Sequence, residues 1–309
     1  VRRRLGQAFV DRMVGPMVAG VYASAPEQLS LEAAFPRMAE LELEHRSLFL
    51  AMMRLRRGGA PRGHLQTLDG GAGSLPEALA QGLDLQLGVS VQGLEPQAQG
   101  FRVLTADGSV EADAVVLACP GHAQVPLVGF DPLAVAALER IRYAPVAVVA
   151  SAWSREAWER RPEGFGVLVA AHEPVGVLGC LFTSCIFPDQ APDDEVLLRT
   201  IIGGAVEPEA AREDDPSLRA RCDRAHGAFF GRQLEPPRMM RIFRHPRGIP
   251  QYEPGHLDRV AVLRQAEGRH PGLVFTGNHL QGIGVKDCAR AGKEAAAKVL
   301  SAFADPGSP

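Results

Sequence analysis

The sequence predicts an α/β fold of mixed α+β character, in which a Rossmann-like layer is interleaved with an antiparallel-sheet domain and a helical domain. Three observations lead to this prediction. A strand, a glycine-bearing turn and a helix follow one another from residue 273 to about residue 304. Four apolar stretches between residues 146 and 202 are joined by turns rich in Pro and Gly. Residues 1–57 show helical periodicity.

Helices are predicted for most of the first 57 residues. Residues 1–18 are predicted to form one amphipathic helix, which Gly15-Pro16 interrupts. A second helix is predicted over residues 31–55, before a break at residues 58–63. The chain starts without Met and enters directly into a helical pattern, so we expect it to be the middle of a longer protein.

The next region begins with glycines that are similar to a phosphate loop, at residues 68–76. They fail as a dinucleotide-binding fingerprint, because Pro76 stands where the third glycine should be. A short helix is predicted at residues 75–80. Strands are predicted at residues 85–91, 101–105 and 114–118, with a hairpin turn at Asp107-Gly108. The third of these strands is continuously apolar, which is typical of a strand buried on both faces.

From Ile141 the composition favours a separate, mostly antiparallel sheet domain. Its strands are predicted at residues 146–150, 167–170, 177–182 and 196–202. A charged helix over residues 207–233 and a strand over residues 239–244 follow. A loop at residues 248–256 and a helix at residues 257–270 then lead to the last strand.

The final stretch, residues 273–288, combines a β-prone strand, three glycines and a helix start. Gly277, Gly282 and Gly284 allow a ligand to approach the main chain. The helix start presents free N–H groups and a partial positive charge. An anionic or electron-rich ligand, such as a phosphate or a flavin ring edge, suits this arrangement, and an ordinary βα turn is the alternative. The helix is predicted to pack on a sheet through a small inner face: Ala289, Gly292, Ala296 and Val299.

Composition excludes several classes of protein. The net charge of −3 gives no indication of nucleic-acid binding. No run approaches the ~18 apolar residues of a membrane span. Five cysteines without a CxxC pair favour a reduced, cytoplasmic compartment, and no metal site is expected. Cys119 and His122 remain an alternative nucleophilic pair, although no orienting third group can be identified.

Short motifs spread over nearly the whole chain point to one family. They include Gly20-Val21-Tyr22-Ala23, Gly164-Phe165-Gly166-Val167-Leu168-Val169, Phe187-Pro188-Asp189, Gly203-Gly204, Pro250-Gln251-Tyr252, Gly255-His256, Gly277-Asn278 and Asp287-Cys288. In this order and spacing they resemble the oxygen-dependent protoporphyrinogen oxidases of the flavin amine-oxidase superfamily. The resemblance implies oxidation of protoporphyrinogen IX to protoporphyrin IX, with six electrons removed in three two-electron steps. FAD is the implied cofactor, and O2 is the acceptor that yields hydrogen peroxide.

The resemblance also implies a division of the chain. Residues 1–57 would belong to a helical, membrane-associated domain, and residues 131–245 to the substrate-binding sheet domain. Residues 58–130 and 246–309 would form the FAD-binding domain. The expected partners are a tetrapyrrole substrate and O2, with a peripheral membrane contact and a homodimer as further expectations and no nucleic acid. The expected location is the cytoplasm, in peripheral contact with the cytoplasmic membrane.

Ligand contacts are implied residue by residue. Asn278, Ile283, Gly284 and Val285 match FAD-contacting positions, and Val91 matches an adenine-contacting valine that acts through its main chain. Leu168 and Phe182 match apolar positions that sandwich the tetrapyrrole. From the residues alone, core packing remains the alternative for Val91, Leu168 and Phe182. No catalytic base is identified, and His256 and His279 are interpreted as structural.

Two departures from the family pattern leave alternatives open. The family opens with a strand, a GxGxxG loop, a helix and an acidic ribose ligand, which we expect to precede Val1. His245 stands where the family commonly has Trp. Another flavin oxidase of the same superfamily is one alternative, against which the matches at residues 164–169 and 182–189 argue. A non-catalytic fragment without the dinucleotide-binding segment is the other.

Overall fold

The computed structural model describes residues 6–45 and 65–303, and its mixture of helices and strands confirms the predicted fold class. The strands are β1 (Val91–Pro96), β2 (Phe101–Thr105), β3 (Gly108–Ala112), β4 (Val115–Leu117), β5 (Tyr143–Ser154), β6 (Gly166–Leu168), β7 (Gly179–Leu181), β8 (Glu195–Gly203), β9 (Met239–Pro250) and β10 (Leu273–Phe275). The helices are α1 (Gln7–Phe9), α2 (Gly15–Tyr22), α3 (Leu31–Ala34), α4 (Pro36–His45), α5 (Ser74–Ala80), α6 (Gly121–Gln124), α7 (Pro132–Glu139), α8 (Thr183–Ile186), α9 (Asp215–Phe230), α10 (His256–Arg269) and α11 (Val285–Phe303). None of these helices combines the length and apolar character needed to cross a bilayer.

The chain forms two compact units, each assembled from three separate segments. The first unit comprises Val1–Gln28, Arg56–Leu83 and Tyr143–Ile249, and the second comprises Leu29–Leu55, Asp84–Arg142 and Pro250–Pro309. The segments of the two units therefore alternate along the chain. The assignment of residues 1–57, 58–130, 131–245 and 246–309 to domains of different function stays a prediction.

A five-stranded sheet in the order β6-β7-β8-β5-β9 organises the first unit. β5 and β8 pair antiparallel over nine residues, as the Val- and Ile-rich sequence predicts. Along β8 every second side chain is fully buried, so one face of this sheet lies in the core. The helix α9 contributes Leu218, Cys222 and Ala225 to the same core.

The N-terminal helical segment runs past the predicted interruption at Gly15-Pro16. A π-helical turn, Val10–Val14, joins α1 to α2, and Pro16 lies in the first turn of α2. The predicted interruption is thus a change of helix type at Gly15, and Pro16 is tolerated because it lies in the first turn of α2. α2 ends at Ala23 in the left-handed conformation, with φ of 49°.

The helix predicted over residues 31–55 is two helices within the described residues. Ser30 caps α3 by accepting a hydrogen bond from the Ala33 amide at 3.3 Å. Phe35 leaves the helical conformation because it precedes Pro36, whose ring disfavours helix at that position. α4 then continues the pattern. The remainder of the predicted helix, residues 46–55, lies outside the described residues.

Two small sheets and a helical layer form the second unit. β1, β2 and β3 are antiparallel, and the turn between β2 and β3 confirms the hairpin predicted at Asp107-Gly108. β4 and β10 are parallel. Helices α7 and α10 enclose a core with these strands, to which Leu117, Leu138, Leu263, Leu273 and Phe275 contribute.

Two strand predictions in the second unit were wrong. No strand covers residues 85–90. The first strand begins at Val91, while Leu85 and Leu87 are 50% and 86% exposed. Apolar residues alternate here as in a strand, but no strand lies beside this segment in the described part of the chain. β4 is also not buried on both faces, since Val116 is 41% exposed.

Candidate cofactor-binding site

The candidate site is the turn between β10 and α11, in the second unit. All three residues of β10 are buried, and the strand pairs with β4 from Leu273 with Val115 to Phe275 with Leu117. The Thr276 amide extends this pairing by donating to Leu117 O at 3.0 Å. The buried strand therefore fixes where the turn begins.

Two glycines of this turn have conformations and surroundings that other residues would not tolerate. Gly282 has φ of 72°, and a Cβ there would lie 2.5 Å from Asp287 Cβ. Gly277 has φ of 132°, and a Cβ there would lie 2.9 Å from His279 Nδ1. Both are left-handed or related conformations that favour glycine. The side chains of Asp287 and His279 therefore lie close against the backbone at these two glycines.

The start of α11 presents open backbone donors. The Asp287 and Cys288 amides both donate to Gly284 O at 3.0 Å. The described residues provide no acceptor for the amides of Ile283, Gly284 or Val285. The Asp287 carboxylate lies against Gly282 and Gly284 and pairs with Arg290 at 2.9 Å. These open donors fit the electron-rich edge of a flavin ring, which needs hydrogen-bond donors on its N1 side.

Buried side chains donate to the other side of the turn. Gln124 Nε2 lies 3.3 Å from Thr276 O, and the Tyr252 hydroxyl donates to Asn278 O at 2.6 Å. His256 Nε2 lies 3.1 Å from Leu280 O. All three donor residues are completely buried. The carbonyls of residues 276, 278 and 280 are thus each held by one side chain.

Burial lowers the pKa of the imidazoles near this turn. His279 is fully buried, and its pKa falls to about 4, mainly by desolvation and then by the charges of His256, Arg264 and His122. The pKa of His256 is lowered by the same desolvation, although its contact with Leu280 O opposes this. Both rings are therefore neutral at pH 7, which fits their interpretation as structural residues.

The structure brings four of the five predicted cofactor residues into this one turn. Asn278, Ile283 and Gly284 are half-buried, and Val285 is 67% exposed at the helix start. Val91 lies elsewhere in the second unit, as the first residue of β1 in a different sheet, and is 39% exposed. All five residues are accessible, and their cofactor contacts stay predictions.

The two predicted substrate residues, in the first unit, differ in their surroundings. Leu168 ends β6, is 50% exposed and lies beside Gly20 of α2. Phe182 is 7% exposed and packs against Phe230, with ring centroids 5.7 Å apart. A cavity of about 420 Å³ in this unit is lined by α2 and by residues 169–178, but by neither Leu168 nor Phe182. Substrate contact stays a prediction for both, and Leu168 is the accessible one.

The inner face predicted for α11 was wrong. Of its four residues, Ala289, Gly292 and Ala296 are exposed and Val299 is half-buried. Ala295 is buried instead, and with Ala291 it lines a small cavity against β10. Small residues occur on more than one side of this helix, so their spacing alone does not identify the packed face.

The alternative nucleophile receives no support from the geometry. Burial raises the pKa of the Cys119 thiol, which lowers the fraction present as thiolate. A nucleophilic cysteine requires the opposite shift. The Cys119 carbonyl instead accepts a hydrogen bond from Gln124 Nε2 at 2.7 Å.

Comparisons with known proteins identify the family of the chain and several similar proteins. The profile of the family described as flavin containing amine oxidoreductase matches residues 1–300. Coproporphyrinogen III oxidase of Bacillus subtilis (strain 168) is 28% identical over 97% of the chain and 66% of its own length. Protoporphyrinogen oxidase of Bos taurus is 31% identical over 97% of the chain and 67% of its own length.

The same likeness is found among solved structures. A protein of Exiguobacterium sp. 255-15, provisionally assigned as a protoporphyrinogen oxidase, superposes with a TM-score of 0.84 at 27% identity. The superposition covers 97% of this chain and 66% of that protein. The chain thus spans about two thirds of the length of each of these three proteins.

Proposed function

Because the chain belongs to the flavin containing amine oxidoreductases, we propose that it forms part of an FAD-dependent porphyrinogen oxidase. The proposed reaction converts protoporphyrinogen IX to protoporphyrin IX by loss of six electrons and six protons, while three O2 become three hydrogen peroxide. One observation carries this proposal: similarity to porphyrinogen oxidases of a bacterium and a mammal extends over 97% of the chain. The family also supports the predicted flavin cofactor.

The turn before α11 would hold the redox end of the cofactor. When bound, FAD supplies the two-electron chemistry of each step and returns the electrons to O2. The open amides of Ile283, Gly284 and Val285 would donate to its electron-rich edge. The helix dipole would favour negative charge there by roughly 0.3–2 kcal/mol. Asn278 would contact the cofactor beside them, and the main chain of Val91 would contact the adenine.

The first unit would bind the macrocycle. A tetrapyrrole needs an apolar cleft with a few polar groups. Leu168 supplies exposed apolar surface, and the buried Phe182 supports the segment that follows β7. Residues 131–245 would form the main part of the substrate-binding domain, since Tyr143–Ile249 belongs to the first unit. Residues 58–130 and 246–309 would be parts of the FAD-binding domain, and of these Asp84–Arg142 and Pro250–Pro309 share the second unit, whereas Arg56–Leu83 belongs to the first.

Residues 1–57 would form a helical domain that makes a peripheral contact with the cytoplasmic membrane. The protein itself would be located in the cytoplasm. The support is a stripe of exposed apolar side chains at spacings of four along the first helical segment: Phe9, Met13, Met17 and Val21. An amphipathic helix with such a stripe favours a membrane surface or an apolar substrate. A homodimer remains part of the same proposal.

Coproporphyrinogen III is the second candidate substrate. It is favoured by the Bacillus subtilis relative, a coproporphyrinogen III oxidase that matches 97% of the chain. The two porphyrinogens require the same removal of electrons from the macrocycle. They differ in peripheral groups, since coproporphyrinogen carries two more carboxylates. A site selective for it would have to neutralise this additional charge.

The proposal is tested with the longest natural form of the protein, loaded with FAD and supplied separately with the two porphyrinogens. We expect porphyrin fluorescence to rise faster than autoxidation with at least one of them, and three hydrogen peroxide molecules to form per porphyrin. A flavin-loaded protein that produces no porphyrin above autoxidation would overturn the proposed reaction. A colourless preparation that binds no FAD would favour the non-catalytic alternative.

A further inference from the structure

We propose that Gln124, Tyr252 and His256 are positioning residues that hold the segment of residues 276–280 in the conformation required for cofactor binding. The inference rests on the proposed function for the identity of the cofactor, but the geometry of the segment is independent of it. The three side chains are called the donor ladder below. The Tyr252 hydroxyl contacts one proposed cofactor residue, at the backbone carbonyl of Asn278, and Gln124 and His256 contact the carbonyls of Thr276 and Leu280 on either side of it.

The donor ladder acts on the turn that follows β10. It reaches the carbonyls of Thr276, Asn278 and Leu280, and the Leu280 amide closes the turn by donating to Gly277 O at 3.2 Å. In a sheet, a neighbouring strand would supply such donors. Here β10 has already ended at Phe275, and side chains take over that role.

Each donor is anchored to another part of the second unit. Gln124 Nε2 also lies 3.0 Å from Leu117 O and 2.7 Å from Cys119 O, so its two N–H groups are shared among three carbonyls and connect the end of β4 to the end of β10. The Tyr252 ring stacks on the His256 ring, with centroids 4.1 Å apart and planes 16° apart. The Tyr252 carbonyl accepts a hydrogen bond from the Ser30 amide at 2.7 Å. The donors are therefore fixed before any ligand binds.

The ring of His256 has a defined orientation. A carbonyl oxygen only accepts, so Nε2 must carry the proton that faces Leu280 O. In the neutral ring Nδ1 is then unprotonated, and the described residues offer it no donor. A glutamine at position 256 could keep an N–H at the same end, whereas a leucine could not.

Loss of the donor ladder would disturb the residues that face the proposed cofactor. Asn278 lies inside the held segment, and the open amides of Ile283, Gly284 and Val285 follow it directly. A buried carbonyl that loses its donor would turn toward water or another donor and move this segment. Since each such bond is worth about a factor of ten in equilibrium, we expect local opening to increase by about that factor.

The first test measures amide hydrogen exchange of the chain without cofactor. Tyr252→Phe removes one hydroxyl and leaves the stacked ring in place. We expect about ten-fold faster exchange at residues 277–284 and unchanged exchange in β5 and β8. Tyr143→Phe, in the first unit, is the matched control and should leave residues 277–284 unchanged. Unchanged exchange in Tyr252→Phe would overturn the proposal.

The second test measures the reduction potential of bound FAD in the longest natural form. Tyr252→Phe and His256→Leu are expected to shift the potential negative, because misplaced amides stabilise the reduced flavin less. His256→Gln is expected to restore the potential toward that of the unsubstituted protein. Faster exchange with an unchanged potential would overturn the positioning role. Failure of the unsubstituted protein to bind FAD would instead overturn the proposed function, while the exchange experiment still tests the donor ladder.

Discussion

The single residue with the clearest pH dependence in the first unit is His226. Its ring is fully buried, its Nε2 lies 2.9 Å from Thr200 Oγ1, and it meets the Trp153 ring edge-on at 5.3 Å. Desolvation lowers its pKa to about 4. The folded protein therefore keeps this imidazole neutral over a range in which the unfolded chain, with a pKa near 6.5, takes up a proton.

We expect the first unit to lose stability as the pH falls from 6.5 toward 4. The folded pKa lies below the unfolded one, so the contribution of His226 is complete above pH 6.5 and disappears toward pH 4. Between pH 7 and pH 5 it amounts to roughly 2 kcal/mol. Urea unfolding followed by tryptophan fluorescence measures it, since Trp153 and Trp158 both lie in the first unit.

His226→Gln should reduce this loss between the two pH values, whatever its effect at pH 7. His172→Gln is the control, because the side chain of His172 is 55% exposed. It should show the same pH dependence as the unsubstituted chain. An equal loss in His226→Gln and in the unsubstituted chain would contradict the assignment of the pH dependence to His226.

The two predicted substrate residues are expected to respond differently to truncation. Phe182→Ala should cost about 3–5 kcal/mol of unfolding free energy, because its ring is buried against Phe230. Leu168→Ala should change stability by less than about 1.5 kcal/mol, since half of its surface is exposed. In the FAD-loaded protein, Leu168→Ala should raise KM for the porphyrinogen. Thermal unfolding and steady-state kinetics measure the two effects, and an unchanged KM would exclude Leu168 from the substrate site.

Residue-level prediction from sequence succeeded where the signal was local. Asn278, Ile283, Gly284 and Val285 were placed in one turn because a β-prone run, glycines and a helix adjoin in sequence. The donor ladder gave no such signal. Its members lie 152, 26 and 24 residues from the carbonyls they reach, and a side-chain hydrogen bond leaves no periodic pattern.

At the scale of elements, the end of α2 is attached to the turn after β8. The Ala205 amide donates to Ala23 O at 2.7 Å. Gly204 has φ of 89°, and a Cβ there would lie 2.6 Å from the same oxygen. Only glycine allows this approach, so the attachment depends on residue 204.

Gly204→Ala is therefore expected to destabilise the first unit by about 3 kcal/mol and to increase hydrogen exchange in α2. The left-handed conformation and the contact with Ala23 O both contribute. Gly231→Ala is the matched control, because Gly231 has φ of 65° but open space around its Cβ position. It should cost only about 1 kcal/mol. If the two substitutions lowered the free energy of unfolding equally, the contact between Gly204 and Ala23 O would contribute nothing to stability.

Elements were predictable where one pattern dominated, as in β5, β8 and α9. The errors arose where a pattern needed a partner that the sequence does not specify. Leu85 and Leu87 alternate like a strand, but no strand lies beside them in the described chain. The packed side of α11 could not be identified, because alanines occupy several of its faces.

At the scale of the whole molecule, the proposed cofactor turn and the proposed substrate residues belong to different compact units. The turn at residues 276–285 belongs to the second unit, and Leu168 and Phe182 belong to the first. The resemblance that predicted this organisation depended on the order of motifs along nearly the entire chain. The family profile likewise matches nearly the entire chain, over residues 1–300. Substrate choice depends on side chains that motif order does not define.

The chain is proposed to contribute the flavin-ring part of a porphyrinogen oxidase. The most direct measurement is an anaerobic titration of the FAD-loaded, longest natural form with protoporphyrinogen IX or coproporphyrinogen III. Six-electron oxidation predicts that one porphyrinogen bleaches three equivalents of bound flavin and appears as fluorescent porphyrin. A flavin that is reduced by neither porphyrinogen, but is reduced by an amine substrate, would contradict the claim.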